Sequence, residues 1–143
     1  METSLRARAI LELRRRRAGR KEEYADRISW WRENPVDYFV DRLGIKRETI
    51  DWSILPEYRE HKWDGTPNPL TAICSKLVGN KWVGVESATG TGKTYLGALL
   101  VFWFLECWEN SFVVTTAPKQ DQLELNIWKW VEYLHPRFGI GTL

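Results

Sequence analysis

Eight consecutive residues have the types and the spacing of a loop that binds phosphate groups. They are Ser87, Ala88, Thr89, Gly90, Thr91, Gly92, Lys93 and Thr94. They match the pattern GxxxxGK(S/T) at every position but the first, where serine replaces glycine. Gly90 and Gly92 permit positive φ angles and a close approach of the backbone, so that N–H groups can turn inward around a triphosphate. The pattern therefore predicts nucleotide binding.

Two side chains of this loop would carry the chemistry. We expect Lys93 to place its ammonium group on the β and γ oxygens, which makes it the predicted catalytic residue. The Thr94 hydroxyl is predicted to bind Mg²⁺, so the predicted cofactor is Mg²⁺ with ATP. A helix that begins here would direct the positive end of its dipole at the phosphates. A glycine-rich turn before a buried helix is the alternative, which we disfavour because the GxGK(S/T) core seldom arises by chance.

The acidic groups that ATP hydrolysis also needs are missing from the expected place. A second acidic ligand of Mg²⁺ and a residue that activates water usually follow a strand of apolar residues. No such strand follows Thr94. Glu106 and Glu109 end the next apolar stretch, and the acidic residues after position 120 have the spacing of a solvated helix face. We therefore expect the chain to stop before the active site is complete and to be inactive alone.

The elements around the loop predict a βαβ unit. Residues 82–85 and 112–116 are short and β-prone, and the apolar stretch 94–108 between them is predicted to be a helix. The predicted fold class is α/β, an incomplete P-loop NTPase with a RecA- or helicase-like parallel sheet and flanking helices. Apolar residues at helical spacing after Pro118 predict a further helix, which ends at Pro136.

Ahead of the loop, the sequence predicts a helical segment and a connecting region. Residues 5–31 lack proline and predict one helix, with a break at Gly19 left open. Asn34 is the predicted cap of a second helix, which Gly44 stops. The predicted domains are a basic helical segment over 1–44, a connecting region over 45–69 and the first part of a P-loop ATPase domain over 70–143.

Composition and charge narrow the class of protein. Apolar residues make up 43% of the chain and aromatic residues 13%, which excludes a disordered chain. Net charge is only +2, yet residues 1–32 hold ten Lys or Arg against five Asp or Glu. The arginines at 14–17 could bind DNA phosphates or a protein partner, but an exposed helix face interleaved with glutamates is the favoured interpretation. Cys74 and Cys107 lack the spacing of a disulfide framework or zinc site, so a reducing cytosol is favoured.

The stretch from residue 69 to residue 138 resembles the ATPase domain of phage terminase large subunits, the motors that package viral DNA. The matching segments are Val85 to Thr94, Val113 to Pro118, Gln122-Leu123 and Ile127 to Lys129. By this resemblance, a coupling motif between the nucleotide site and the nucleic acid is expected at Thr116, Ala117, Pro118 and Gln122. The front segment, residues 31–43, resembles the Asn-Pro-led helix before the ATPase core in many members of the family.

The resemblance implies an ATPase coupled to DNA translocation. Its implied partners are double-stranded DNA, the small terminase subunit, the portal ring and further copies of the chain in a ring, all in the cytoplasm of a bacterial host. A nuclease domain is expected beyond Leu143. Two features depart from the family: no glutamine upstream of the loop is available for adenine, and the loop contains no arginine.

Two other functions remain open at this stage. A superfamily 2 helicase or restriction-type translocase would show the same loop, and a nucleotide-binding assembly module would bind without turnover. In the P-loop class that the resemblance implies, the strand before the loop and the strand after the helix are not neighbours. We therefore expect the chain by itself to be aggregation-prone or molten.

Overall fold

A computed structural model describes residues 2–57, 68–87 and 90–138 of the chain. The chain forms two compact units, residues 1–30 and residues 31–143. The α-helices are α1 (Glu2–Glu33), α2 (Pro35–Asp41), α3 (Arg47–Ile50), α4 (Pro69–Gly79), α5 (Lys93–Cys107), α6 (Gln120–Leu123) and α7 (Lys129–Phe138). A 3-10 turn (Trp52–Ile54) follows α3, and a π-helical segment (Glu124–Trp128) joins α6 to α7.

Most of the first unit is the long helix α1, which runs through Gly19 without a break. Between residues 12 and 30, every side chain is exposed except that of Ile28, which is half-buried. Two ion pairs at i,i+4 spacing, Arg16–Glu12 and Arg27–Glu23, support the helix. Local hydrogen bonds and side-chain pairs, rather than a hydrophobic core, therefore hold this part of α1.

Helix α5 is the centre of the second unit. Its buried residues are Leu96, Ala98, Leu99, Val101, Phe102, Trp103 and Cys107. They cover most of its circumference, as expected of a helix in a protein core, whereas Phe104 remains exposed. α5 contacts α2, the π-helical segment and α7. Its apolar sequence thus determines both its burial and its position directly after residues 87–94, which are called the phosphate-binding motif after their predicted role.

Helix α2 closes one side of this core. Pro35 occupies the first turn, where a missing N–H is tolerated, and Tyr38 and Phe39 are fully buried. Asn34 occupies the predicted N-cap position, but its side chain makes no capping hydrogen bond. Gly44 follows the helix with a φ of 65°, which agrees with its predicted role as a stop.

The predicted α/β class is wrong for the described part of the chain. Residues 82–85 and 112–116, which were predicted to be strands, are irregular, and no β-strand or sheet is present in the described ranges. No backbone–backbone hydrogen bond joins either stretch to another segment there. A strand exists only in a ladder with a neighbour, and β-propensity reports how a side chain fits such a sheet. The predicted parallel sheet, and with it the βαβ unit, is therefore absent from these residues.

The last helical region differs from its prediction in two ways. It begins at Gln120 and continues past Pro136 to Phe138, although Pro136 was predicted to end it. It also contains the π-helical segment, which lies against α5 at Gly97. A Cβ atom at Gly97 would come within 3.2 Å of Ile127 Cδ1, so the absence of a side chain there permits the close approach.

The predicted connecting region contains α3 and the 3-10 turn, and residues 58–67 of it lie outside the described residues. The boundaries at 44 and 69 stay a prediction. Within the described ranges, no helix has both the length and the apolar character that a bilayer crossing requires.

Candidate nucleotide-binding site

The phosphate-binding motif lies directly before α5. Gly90 and Gly92 both have a φ of 82°, in the left-handed region that favours glycine. Gly92 is the N-cap of α5, and no side chain caps the helix there. The N–H groups of the first helical turn have no acceptor within the helix and can donate hydrogen bonds to an anion. Ala88 and Thr89 lie outside the described residues.

The two ends of the motif contact each other. Lys93 Nζ donates a hydrogen bond of 2.8 Å to the Ser87 carbonyl oxygen. The Ser87 and Thr91 hydroxyls form a second hydrogen bond of 3.0 Å. Serine at the position where the pattern has glycine therefore has a structural use, which the sequence pattern did not indicate.

A cavity of about 930 Å³ opens beside the motif. Gly90, Thr91, Gly92, Lys93 and Thr94 contribute to its lining. Its volume falls in the range of roughly 300–1,000 Å³ that is typical of small-molecule sites. The motif thus faces a space large enough for a nucleotide.

The predicted coupling motif lines the same cavity. Thr116, Ala117 and Gln122 contribute to the lining, whereas Pro118 is exposed and is not among the described lining residues. A hydrogen bond of 3.0 Å from Trp128 Nε1 to Thr115 Oγ1 holds this stretch against the π-helical segment. The structure therefore brings three of the four coupling residues to the cavity of the phosphate-binding motif.

An aromatic pair forms another part of the cavity wall. The rings of Tyr95 and Trp130 meet edge to face, with centroids 5.1 Å apart. Burial raises the pKa of the Tyr95 phenol above its ordinary value. The helical spacing of the sequence predicts Trp130 as a core residue, but it is half-buried and lines the cavity with Asn126. Sequence spacing alone could not show that Tyr95, 35 positions earlier, would face it.

The lining residues fit a magnesium nucleotide better than a free metal ion. Thr94 lines the cavity and is half-buried, as its predicted role requires. The described lining contains no carboxylate, and the described residues contain no group of three metal-ligating side chains. Mg²⁺ commonly binds through one or two protein groups together with phosphate oxygens and water. Thr94 could therefore supply one ligand, with the others from phosphate and water.

The opposite end of α5 is held by a group of polar side chains, the Glu106 cluster, formed by Glu106, Tyr38 and Arg42. The Glu106 carboxylate accepts hydrogen bonds of 2.6 Å from the Tyr38 hydroxyl and from Arg42 Nε. Its side chain is only 9% exposed. Burial, followed by the hydrogen bond to Glu106, raises the pKa of Tyr38 far above its ordinary value. The cluster is a structural contact of α5, remote in sequence from the phosphate-binding motif.

The two cysteines are not positioned for nucleophilic chemistry. Both thiols are buried, and burial raises the pKa of Cys74 and of Cys107 to about 12. A thiol with such a pKa stays protonated at neutral pH, whereas the thiolate is the reactive form. Neither cysteine is therefore a candidate nucleophile.

Comparison with known proteins adds no relative to this picture. No protein-family model matches the chain, and neither the curated proteins nor the solved structures give a match. The resemblance to terminase large subunits accordingly rests on the sequence motifs between residues 85 and 129.

Proposed function

We propose that residues 87–94 bind the phosphates of ATP with Mg²⁺. The observation that carries this proposal is the geometry before α5: Gly90 and Gly92 at positive φ, followed by Lys93 at the start of a 15-residue helix. Backbone N–H groups, a helix N-terminus and an ammonium group together form an anion-binding arrangement. The adjoining cavity gives a nucleotide room to bind.

Lys93 is already turned toward the motif. Its ammonium group donates to the Ser87 carbonyl oxygen over 2.8 Å, and this hydrogen bond would be exchanged for one to a phosphate oxygen. A phosphate oxygen is the stronger acceptor because it carries charge. Thr94, one residue further, would bind Mg²⁺ through its hydroxyl. Phosphate charge would then be neutralised by the Lys93 ammonium group and by the Mg²⁺ that Thr94 helps to hold.

We further propose that the chain is the ATP-binding part of a DNA-packaging motor of the terminase large-subunit type. The sequence resemblance supports this part of the proposal, and the shared cavity of the phosphate-binding and coupling motifs is compatible with it. The implied activity is ATP hydrolysis coupled to movement of double-stranded DNA in the cytoplasm of a bacterial host. The small terminase subunit, the portal ring and further copies of the chain would be its protein partners.

One observation favours a second candidate, a module that binds nucleotide without turnover. The described lining of the cavity contains no Asp or Glu that could complete the Mg²⁺ site or activate water. Such a module would bind nucleotide through the same loop to promote assembly, and would not hydrolyse ATP to move DNA. Measurements of Mg²⁺-dependent hydrolysis and of binding, made on the same chain, exclude the module if hydrolysis occurs.

The substitution that tests the phosphate site is Lys93→Ala. We expect ATP affinity to fall about tenfold or more, because a hydrogen bond to a charged group contributes about 1.5–3 kcal/mol. The change in affinity is measured by the binding of a fluorescent ATP analogue to the full chain. Lys129→Ala is the matched control, because Lys129 is an exposed lysine outside the described lining of the cavity.

Equal affinity of Lys93→Ala and the unsubstituted chain would refute the phosphate site. Circular dichroism of both variants checks that the helices persist. Hydrolysis by the unsubstituted chain would exclude the module, whereas binding without hydrolysis fits both candidates, because the motor's ATP-binding part is itself expected to be inactive alone.

A further inference from the structure

Three side chains of the last helical region line the cavity beside the phosphate-binding motif at a regular spacing. They are Gln122, Asn126 and Trp130, each four residues after the one before. They belong to α6, to the π-helical segment and to α7. A π-helix forms hydrogen bonds over five residues instead of four, so side chains four apart lie nearly in line along it. The π-helical segment, a rare form that is frequent at functional sites, therefore brings these side chains to one wall of the cavity.

Trp130 does not belong to the core face of α7. The buried residues among the described side chains of α7 are Val131 and Leu134, which are 1% and 3% exposed. Trp130 is half-buried, and its ring meets those of Tyr95 and Tyr133 edge to face. A large aromatic surface thus lies at the cavity, partly open to water.

Charge and apolar surface are divided within the cavity as they are in a nucleotide. Lys93 is the one charged side chain of the described lining, and it belongs to the phosphate-binding motif. Most of the described lining outside the motif is apolar or aromatic. Ligand sites commonly combine such apolar walls with a few polar groups that fix the orientation of the ligand. The part of the cavity away from Lys93 therefore suits an uncharged aromatic group.

Tyr95 connects this aromatic surface to the phosphate-binding motif. It directly follows Thr94, the last residue of the motif, and lies in the first turn of α5. The centroid of its ring is 5.1 Å from that of Trp130. A ligand that places its phosphates on the motif would therefore have its remaining part beside the two rings.

We propose that Trp130, held by Tyr95, forms the stacking surface for the base of the bound nucleotide, and that Asn126 contacts the edge of that base. Every base has a π-face that can stack on an aromatic side chain. The Asn126 amide offers both a donor and an acceptor, which match N7 and the N6 amino group of adenine. Guanine presents two acceptors, O6 and N7, at the same edge, so adenine should be preferred.

The stacking surface rests on the proposed phosphate site and adds the residues that distinguish a nucleotide from a bare polyphosphate. The experiment titrates the full chain calorimetrically with ATP and, separately, with inorganic tripolyphosphate, both with Mg²⁺. W130L should weaken ATP binding about five- to 150-fold, as expected for the loss of one base–aromatic stack. It should change the affinity for tripolyphosphate less than about twofold.

Two further variants control for the substitution itself. W130F keeps an aromatic ring and should keep most of the ATP affinity. W82L makes the same replacement at a tryptophan that is 92% exposed and outside the described lining of the cavity, so its ATP affinity should be unchanged.

Equal ATP affinities of W130L and W82L would overturn the stacking surface. Equal losses of ATP and tripolyphosphate affinity in W130L would also overturn it, because Trp130 would then act only through the fold. N126L should lower the ratio of ATP to GTP affinity about threefold or more, and an unchanged ratio would overturn the contact of Asn126 with the base. Failure of the unsubstituted chain to bind tripolyphosphate would instead refute the phosphate site, so the two failures are distinguishable.

Discussion

Three glycines illustrate how far single residues determine this structure. Gly90 and Gly92 have the positive φ that the motif predicts, because a loop that turns N–H groups inward needs that conformation. Gly19 instead lies inside α1, where nothing comes within 4 Å of the position of a Cβ atom. Glycine therefore favours the folded state in the loop, where φ is positive, and weakens the helix at Gly19.

Replacing these glycines with alanine should give effects of opposite sign. Gly19→Ala should stabilise α1 by about 0.5–1 kcal/mol, because glycine loses more backbone freedom in a helix than alanine does. Gly90→Ala should destabilise the second unit by about 1–2 kcal/mol, because alanine is strained at positive φ. Helicity at 222 nm during thermal and urea unfolding measures both. Shifts in the same direction for the two variants would contradict this account.

The residues around the phosphate-binding motif were only partly predictable. The pattern of glycines and lysine indicates the loop because each position has a local conformational or charge requirement. The Ser87–Thr91 hydrogen bond depends on the course of the loop, and the Tyr95–Trp130 contact joins residues far apart in sequence. Contacts of that kind leave no periodic signal in a single sequence.

At the scale of elements, the helices were predictable and the strands were not. The predicted helix over 94–108 is observed at 93–107, and the one predicted over 5–31 lies within the helix observed at 2–33. A helix satisfies its hydrogen bonds within its own residues, so apolar periodicity and end signals suffice to indicate it. The stretch 112–116 has the composition of a strand but no neighbour in the described ranges with which to pair.

The Glu106 cluster provides the prediction at this scale. Glu106→Ala should lower the free energy of unfolding by about 1–3 kcal/mol, because it leaves the buried Tyr38 hydroxyl without its acceptor and Arg42 without its ion pair. Urea unfolding followed by tryptophan fluorescence measures the change. Glu109→Ala is the control, because Glu109 is exposed just beyond α5.

We expect less than about 0.5 kcal/mol for this control, as is usual for surface substitutions. A loss for Glu106→Ala as small as that for Glu109→Ala would show that the cluster contributes nothing to stability.

At the scale of the whole molecule, large apolar side chains remain in water along the two irregular stretches. Trp82 is 92% exposed, Phe112 79% and Val114 72%. Exposed apolar side chains grouped in this way promote association, whereas single ones are common on any protein surface. The expected aggregation-prone or molten behaviour thus has a structural basis in these stretches.

Removing part of this surface should reduce self-association. F112T/V114T should lower the binding of an apolar dye and the light scattering of the purified chain, because it removes two exposed apolar side chains from one stretch. Leu125→Thr is the control, since Leu125 is 70% exposed on a helical segment away from these stretches in sequence. A cooperative thermal transition with a sharp near-UV signal from the unsubstituted chain would contradict the expectation.

The position of the Glu106 cluster has a mechanical consequence. α5 carries Lys93 in its first turn and Glu106 in its last, so the two are separated by about 20 Å of continuous helix. Most of the helix is buried, and close-packed protein interiors are little compressed by a displacement. We therefore expect α5 to move as a rigid unit. A shift of its N-terminal end would then also move α2, which Glu106 contacts through Tyr38 and Arg42.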